Sequence, residues 1–401
     1  MSKDLENDLT RVIGRAAESA PQAPSDLPTQ VMGRSRRRRT RTLASVTALA
    51  ASAVVVVAGG VALSVRGLQE APQVAVEPAP APSAERDTMP GPVEQVWPDA
   101  VRKIPAKLPE GRKLRPVIFL DDRTLLMQTW ASHEKADALY AYELDTDLTR
   151  KITDIRTPKG VFASAFTAGA GRIFWQTIED TRTRLWSVPV AGGEPAAVPT
   201  DTPIRQGADK LTVTGDRLAF SAFRGGGVFT VPLDGGAVTP VENAGRHHIL
   251  SWPWVGTPGE YTPDEEPSFE ELYNVETGEL SKALVRPGDR YVRCGVTTCV
   301  GVNAAGKPFF RLRDGSQERE LRESALHGLS QDRFMTVRLP RPAQGEALVD
   351  LVTGKSGDLG LRPDAKGQMV SVQPGITNDR LVWYELKDKL VIIDLARIAS
   401  S

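Results

Sequence analysis

Apolar and polar positions follow three regimes along the chain, and each predicts a different element. Near the start, Leu5, Leu9, Val12, Ile13 and Ala16 stand at helical spacing and mark one face of a short amphipathic helix, ended by Pro21 and Pro24. Residues 43–65 are Ala, Val, Leu, Gly, Ser and Thr without a charge, and as a helix they span about 30–35 Å, enough to cross a hydrocarbon core. From residue 94 onward the pattern changes to short alternating runs separated by Gly and Asp, which predict β-strands and tight turns.

Those runs repeat. Residues 139–145, 185–193, 228–236, 272–278, 309–315, 348–354 and 390–395 each begin with two apolar or aromatic residues, continue in strand alternation and end at a turn. Their second residues run from Tyr140 to Val391 in six steps of about 42 residues, the period of a four-stranded propeller blade. Five units show an upstream strand opening with a turn residue and an arginine: Arg123, Arg172, Arg217, Arg333 and Arg380. The last unit ends after its third strand, so residues 100–108 are expected to supply the missing outer strand and close the ring. The predicted fold is all-β, a β-propeller of seven blades (six or eight if the irregular fourth unit is misread), preceded by one transmembrane helix; an unclosed β-sandwich is the alternative.

The run from Thr214 through Asp216, Arg217 and Phe220 to Arg224, followed by Val228, Phe229, Leu233, Asp234, Gly235 and Gly236, resembles the TolB-type propeller repeat, with a fair match over 171–193. That resemblance implies the propeller fold and a protein-binding role. The family's Ser-Pro-Asp-Gly turn and its preceding α/β domain are absent from this sequence. The layout of Arg-rich tail, single span, Pro/Ala stalk and propeller resembles anchored envelope proteins of actinomycetes.

Charge sharpens this organisation. The 401 residues carry 50 Lys and Arg against 50 Asp and Glu, but the zero is an average. Residues 1–42 hold a net +4, residues 43–65 nothing, and residues 66–401 a net −4. Arg34, Arg36, Arg37, Arg38, Arg39 and Arg41 crowd the N-terminal flank of the apolar run, so the positive-inside rule places the N-terminus in the cytoplasm and the C-terminal bulk outside. A cleaved signal peptide is the competing reading, against which stand the 42 residues ahead of the run and its length. The expected domains are a cytoplasmic tail (1–42), a transmembrane helix (43–65), a Pro/Ala-rich stalk (66–93) and an extracytoplasmic propeller (94–401). The expected location is the cell membrane, and a nucleic-acid partner is excluded.

Candidate chemistry is sparse. Cys294 and Cys299 flank a four-residue connection between strand-like runs, where opposite positions lie near 5.5 Å apart, so a disulfide staple is expected outside the cytoplasm; a redox pair is the alternative. His133, His247, His248 and His327 form no metal-binding spacing, and adjacent His247 and His248 would point to opposite faces of a strand. No Gly-x-Ser-x-Gly elbow is present. Gly354-Lys355-Ser356 imitates a phosphate loop, but Val349 stands where its first glycine belongs. No cofactor or metal is expected.

One irregularity carries the candidate site. In the fourth unit the connection between second and third strands swells to about residues 253–270, holding Trp254, Tyr261, Asp264, Glu265, Glu266, Phe269 and Glu270. Aromatics among acids suit a contact surface, and His133 would share its rim. The expected role is a binding or sensing module for an envelope protein or carbohydrate. The alternatives are a propeller-type hydrolase or lactonase, and a transmembrane signalling protein whose tail acts on a cytoplasmic regulator.

Overall fold

The computed structural model describes residues 89–132, 135–205, 207–260, 266–342, 344–372, 374–375 and 380–399. The amphipathic face, the Arg34–Arg41 cluster, the 43–65 run and the stalk up to residue 88 lie outside them. Among the described residues no helix is long and apolar enough to cross a membrane.

A four-residue helix, α1 (Val93–Val96), and strand β1 (Val101–Pro105) come first. Blade 1 is β2 (Arg115–Phe119), β3 (Thr124–Ser132), β4 (Lys135–Glu143) and β5 (Thr149–Asp154). Blade 2 is β6 (Val161–Gly169), β7 (Arg172–Glu179) and β8 (Arg182–Pro189), with β9 (Ala196–Val198) and β10 (Ile204–Arg205) both on the outer edge of β8. Blade 3 is β11 (Ala208–Thr214), β12 (Arg217–Ala222), β13 (Val228–Pro232) and β14 (Thr239–Pro240). Blade 4 is β15 (His248–Ser251), β16 (Trp254–Thr257), β17 (Glu271–Asn274) and β18 (Leu280–Lys282). Blade 5 is β19 (Arg290–Cys294), β20 (Thr298–Val302), β21 (Pro308–Leu312) and β22 (Arg319–Glu320). Blade 6 is β23 (Phe334–Leu339), β24 (Gly345–Asp350) and β25 (Ser356–Asp358), and blade 7 is β26 (Leu381–Leu386) and β27 (Lys389–Asp394).

All pairings within blades are antiparallel, and β1 completes blade 7 by pairing with β27 from Val101↔Ile393 to Pro105↔Lys389. The chain is a seven-bladed propeller closed by its own N-terminal strand. Docking begins earlier than residue 94: Asp358 N–H donates to Gly91 O at 2.8 Å, Pro92 bridges Asp358 in parallel, and Val93 is fully buried.

A ring forms because each sheet is apolar on both faces. Along β3, Leu125 and Met127 point toward blade 7 and pack with Ile104 and Leu390, while Leu126 points the other way and packs with Ile152 and Trp175 of blades 1 and 2. The core is therefore a set of clusters at the seams between blades, and neither face of a blade can be buried without both neighbours.

Candidate functional site

The inner strands surround a cavity of about 900 Å³, lined by Val117 to Phe119 of β2, Ala165 to Ala168 of β6, Asp209 to Thr212 of β11, the segment Val370 to Val372 with Pro374, and Arg380 to Glu385 leading into and along β26. A second hollow of about 470 Å³ opens between blades 2 and 3, lined by Ser164, Gln176, Asp180, Thr181, Phe223 and Arg224 among others. Ala165 and Asp209 line both, so the two adjoin.

Both shared residues stand at breaks in strand register. The β6–β7 register shifts between Ser164 and Thr167, with Ala165 at φ 52°, and the β11–β12 register shifts between Ala208 and Lys210, leaving Asp209 as the extra residue. A bulge re-aims the side chain it carries. Here it turns the Asp209 carboxylate toward the neighbouring blade, where it accepts from Ser221 Oγ and pairs with His248 Nδ1. Ser221 Oγ in turn accepts from Ile249 N–H at 3.0 Å. The residue types are those of a nucleophilic triad but the order is not. The acid sits between serine and histidine, so the imidazole does not touch the hydroxyl, and Ser221 is fully buried. The cluster is a latch between blades 3 and 4. Its counterpart one blade earlier is Gln176, whose Nε2 donates to Ala208 O at 2.7 Å and whose Oε1 accepts from Ala208 N–H at 2.8 Å. No sequence motif marks either latch, because the residues that meet lie on different blades and are far apart in the chain.

The fourth-unit surface is reorganised. The β16–β17 connection spans 258–270. Trp254 is not in it: the residue opens β16 opposite Asn274, at the end of the strand about 10 Å from where the connection leaves. Phe269 is not on a rim either. It is 1% exposed, packed with Leu250 and Leu272, and its N–H donates to Pro258 O at 2.7 Å, pinching the connection shut at its neck. An apolar ring beside acids reads as a contact surface in sequence, but its left-handed backbone (φ 53°) folds it into the seam between blades 4 and 5. Glu266 is exposed, while Tyr261, Asp264, Glu265 and His133 lie outside the described residues.

The end of this connection is held from blade 5. Ser268 pairs in parallel with the free edge of β19, and the buried Arg313 guanidinium donates to Phe269 O (3.0 Å), Gly295 O (3.0 Å), Glu270 O (2.7 Å) and Ser281 O (3.0 Å). Burial lowers the Arg313 pKa to about 10, with Asp332 and Glu270 opposing it. Cys294 and Cys299 form the staple, at 4.1 Å between Cα atoms. They occupy a narrow non-hydrogen-bonded pair of the hairpin, because Cys294 N–H turns away to Ser268 O. His247 and His248 do point apart: His248 meets Asp209, whereas His247 Nδ1 is buried without a partner and burial lowers its pKa. No group of three or more His, Cys, Asp or Glu among the described residues is placed to hold a metal ion.

No family model matches the sequence, and no curated relative does. Solved structures similar to it include YCF48 bound to a D1 peptide (9% identity over 74% of this chain and 96% of that one, TM-score 0.45). They also include a putative TolB from Agrobacterium tumefaciens (12%, 74% and 97%, TM-score 0.34) and BamB from Moraxella catarrhalis (10%, 71% and 86%, TM-score 0.32). The seven-bladed ring rests on the strand pairing described above and not on these likenesses.

Proposed function

We propose that this chain is a single-pass membrane protein, N-terminus in the cytoplasm, that holds a propeller outside the membrane as a binding module of the cell envelope. The observation that carries the binding role is the 900 Å³ cavity adjoining the hollow between blades 2 and 3, a volume in the range of ligand sites. Its lining is mixed, with Thr167, Thr212 and Ser371 beside Ile118, Phe166 and Trp383, which suits a peptide or glycan end better than a purely apolar ligand. The anchor is supported by the uncharged 43–65 run with six arginines on one flank. The buried disulfide suits an oxidising compartment.

Two labels test the reading. A membrane-impermeant maleimide on intact cells is expected to modify Ala305→Cys, in an exposed turn of blade 5, and to spare Ser25→Cys until the cells are opened. Labelling of both in intact cells refutes the topology. A photo-crosslinking residue at Thr212 in the cavity is expected to capture an envelope component that the same residue at Leu280, 78% exposed on an outer strand, does not. Equal capture at both positions, or none at Thr212, refutes the cavity as the site.

A further inference from the structure

One face of blade 2 carries positive charge that nothing in the described molecule neutralises. Along β8, Arg182, Arg184 and Trp186 project to the same side because successive strand residues alternate. Strand β10 then lays Arg205 directly opposite Arg182. All three arginines are exposed, and none makes an ion pair or hydrogen bond with another described residue. Like charges facing each other across a ladder destabilise a sheet. Other arginines in or beside strands do pair with acids, Arg311 with Asp289, Arg333 with Asp350 and Arg380 with Asp394. The one acid in the row, Glu179, is the register partner of Arg182 on β7 but forms no ion pair with it.

The spacing identifies the kind of anion that fits. Residues two apart on a strand stand about 6.6 Å apart, so alternate carboxylates of an extended peptide repeat at the spacing of Arg182 and Arg184. Arg205 stands beside Arg182 and can grip the same carboxylate, in the geometry that guanidinium forks favour. The row ends on Trp186, half-buried, whose indole N–H is already given to Thr177 Oγ1 at 2.8 Å. The ring is packed partly into the seam with blade 1, and its exposed part offers only an apolar contact.

We propose that this face of blade 2 docks an extended acidic segment of a partner protein, with the pattern acid, any residue, acid, any residue, apolar. This surface is distinct from the central cavity, so it stands or falls independently of that site.

The test uses the full chain in detergent and two fluorescein-labelled peptides of equal composition, one alternating (Glu-Thr-Glu-Thr-Leu) and one blocked (Glu-Glu-Leu-Thr-Thr). In fluorescence anisotropy the alternating peptide is expected to bind about tenfold more tightly than the blocked one, and to lose about tenfold in affinity in the Arg182→Gln/Arg205→Gln variant. Arg205→Gln alone is expected to raise the thermal midpoint by about 1 °C, since it removes the repulsion, which also shows that the variant is folded. Equal affinity for both peptides, or unchanged binding by the double variant, overturns the proposal. So does a lowered midpoint in Arg205→Gln. Tighter binding to phosphatidylglycerol vesicles or to polygalacturonate than to the alternating peptide assigns the face to another anion and overturns it too.

Discussion

In five blades an arginine at the start of one strand meets a partner on or just beyond the next strand, and burial grades the strength of that contact. Arg123 and Asp145 stand 3.3 Å apart in solvent, a pair of little energetic weight. Arg217 Nε donates to Thr230 Oγ1 at 2.9 Å, and Arg172 donates to Ser187 Oγ. Arg333 grips Asp350 through two bonds of 2.7 Å, with the carboxylate fully buried. Burial alone would raise the Asp350 pKa, but the bonds from Arg333, Thr353 Oγ1 and Val352 N–H outweigh it and hold the carboxyl below its ordinary value. A carboxylate depressed in this way contributes stability that is fully present above its unfolded pKa and is lost as pH falls through the folded one. Asp350→Asn is expected to cost about 3 kcal/mol near neutral pH, because it puts a neutral amide where the buried carboxylate balances the Arg333 charge. The gap to the native protein should close as pH falls through and below the ordinary carboxylate range, as the native carboxyl protonates. Thermal midpoints of both proteins across that range check it. A gap that stays constant with pH would show that the pair acts through packing alone.

Whole elements depend on close approach at a few positions. The segment from Gly91 to Trp97 lies against the outer strand of blade 6, and Gly357 is what lets it do so. A Cβ there would stand 2.9 Å from Val93 Cα and 3.0 Å from the Trp97 ring. Gly357→Ala is expected to cost about 1–3 kcal/mol in urea unfolding and to raise hydrogen exchange in residues 91–105 before the rest of the ring. Uniform exchange would show that the segment is not an independent latch. These elements differ in how far alternation exposes them to sequence reading. The second and third strands of most blades are long enough for a period of two to show, and their turn-Arg openings repeat, so the blade count and the exchanged strand at 101–105 were legible. The outer strands β10, β14 and β22 have two residues each, too short to carry any period. The bulges at Ala165 and Asp209 and the fold-back at Phe269 arise from backbone geometry set by the neighbouring blade. The cavity they shape was invisible for that reason, and so was the Arg182–Arg205 juxtaposition, which needs a register and not a motif.

At the scale of the whole molecule, the first and last strands of the described residues lie in one blade, and the ring has no independent half. Blade 7 joins β1 to β26 and β27, and the seam it forms with blade 6 buries Val93 and Trp97 against Phe334, Leu348, Val391 and Ile393. Each blade needs both neighbours to cover its two faces, so removing β1 exposes an edge of β27 and also part of two seams. A cut elsewhere in the ring is different, provided the ends in blade 7 stay joined, because every strand pairing survives. We expect a permuted soluble protein opened in the exposed turn between Ala305 and Gly306, with residue 399 linked to residue 89, to keep the thermal midpoint of the unpermuted 89–399 chain within a few degrees. Deletion of residues 89–105 should instead broaden the transition and give a protein that binds hydrophobic dyes, since seam residues such as Leu390 and Ile392 lose the cover of Ile104. If the deletion melts as sharply and as high as the permutant, ring closure by the N-terminal strand is not what holds the propeller together.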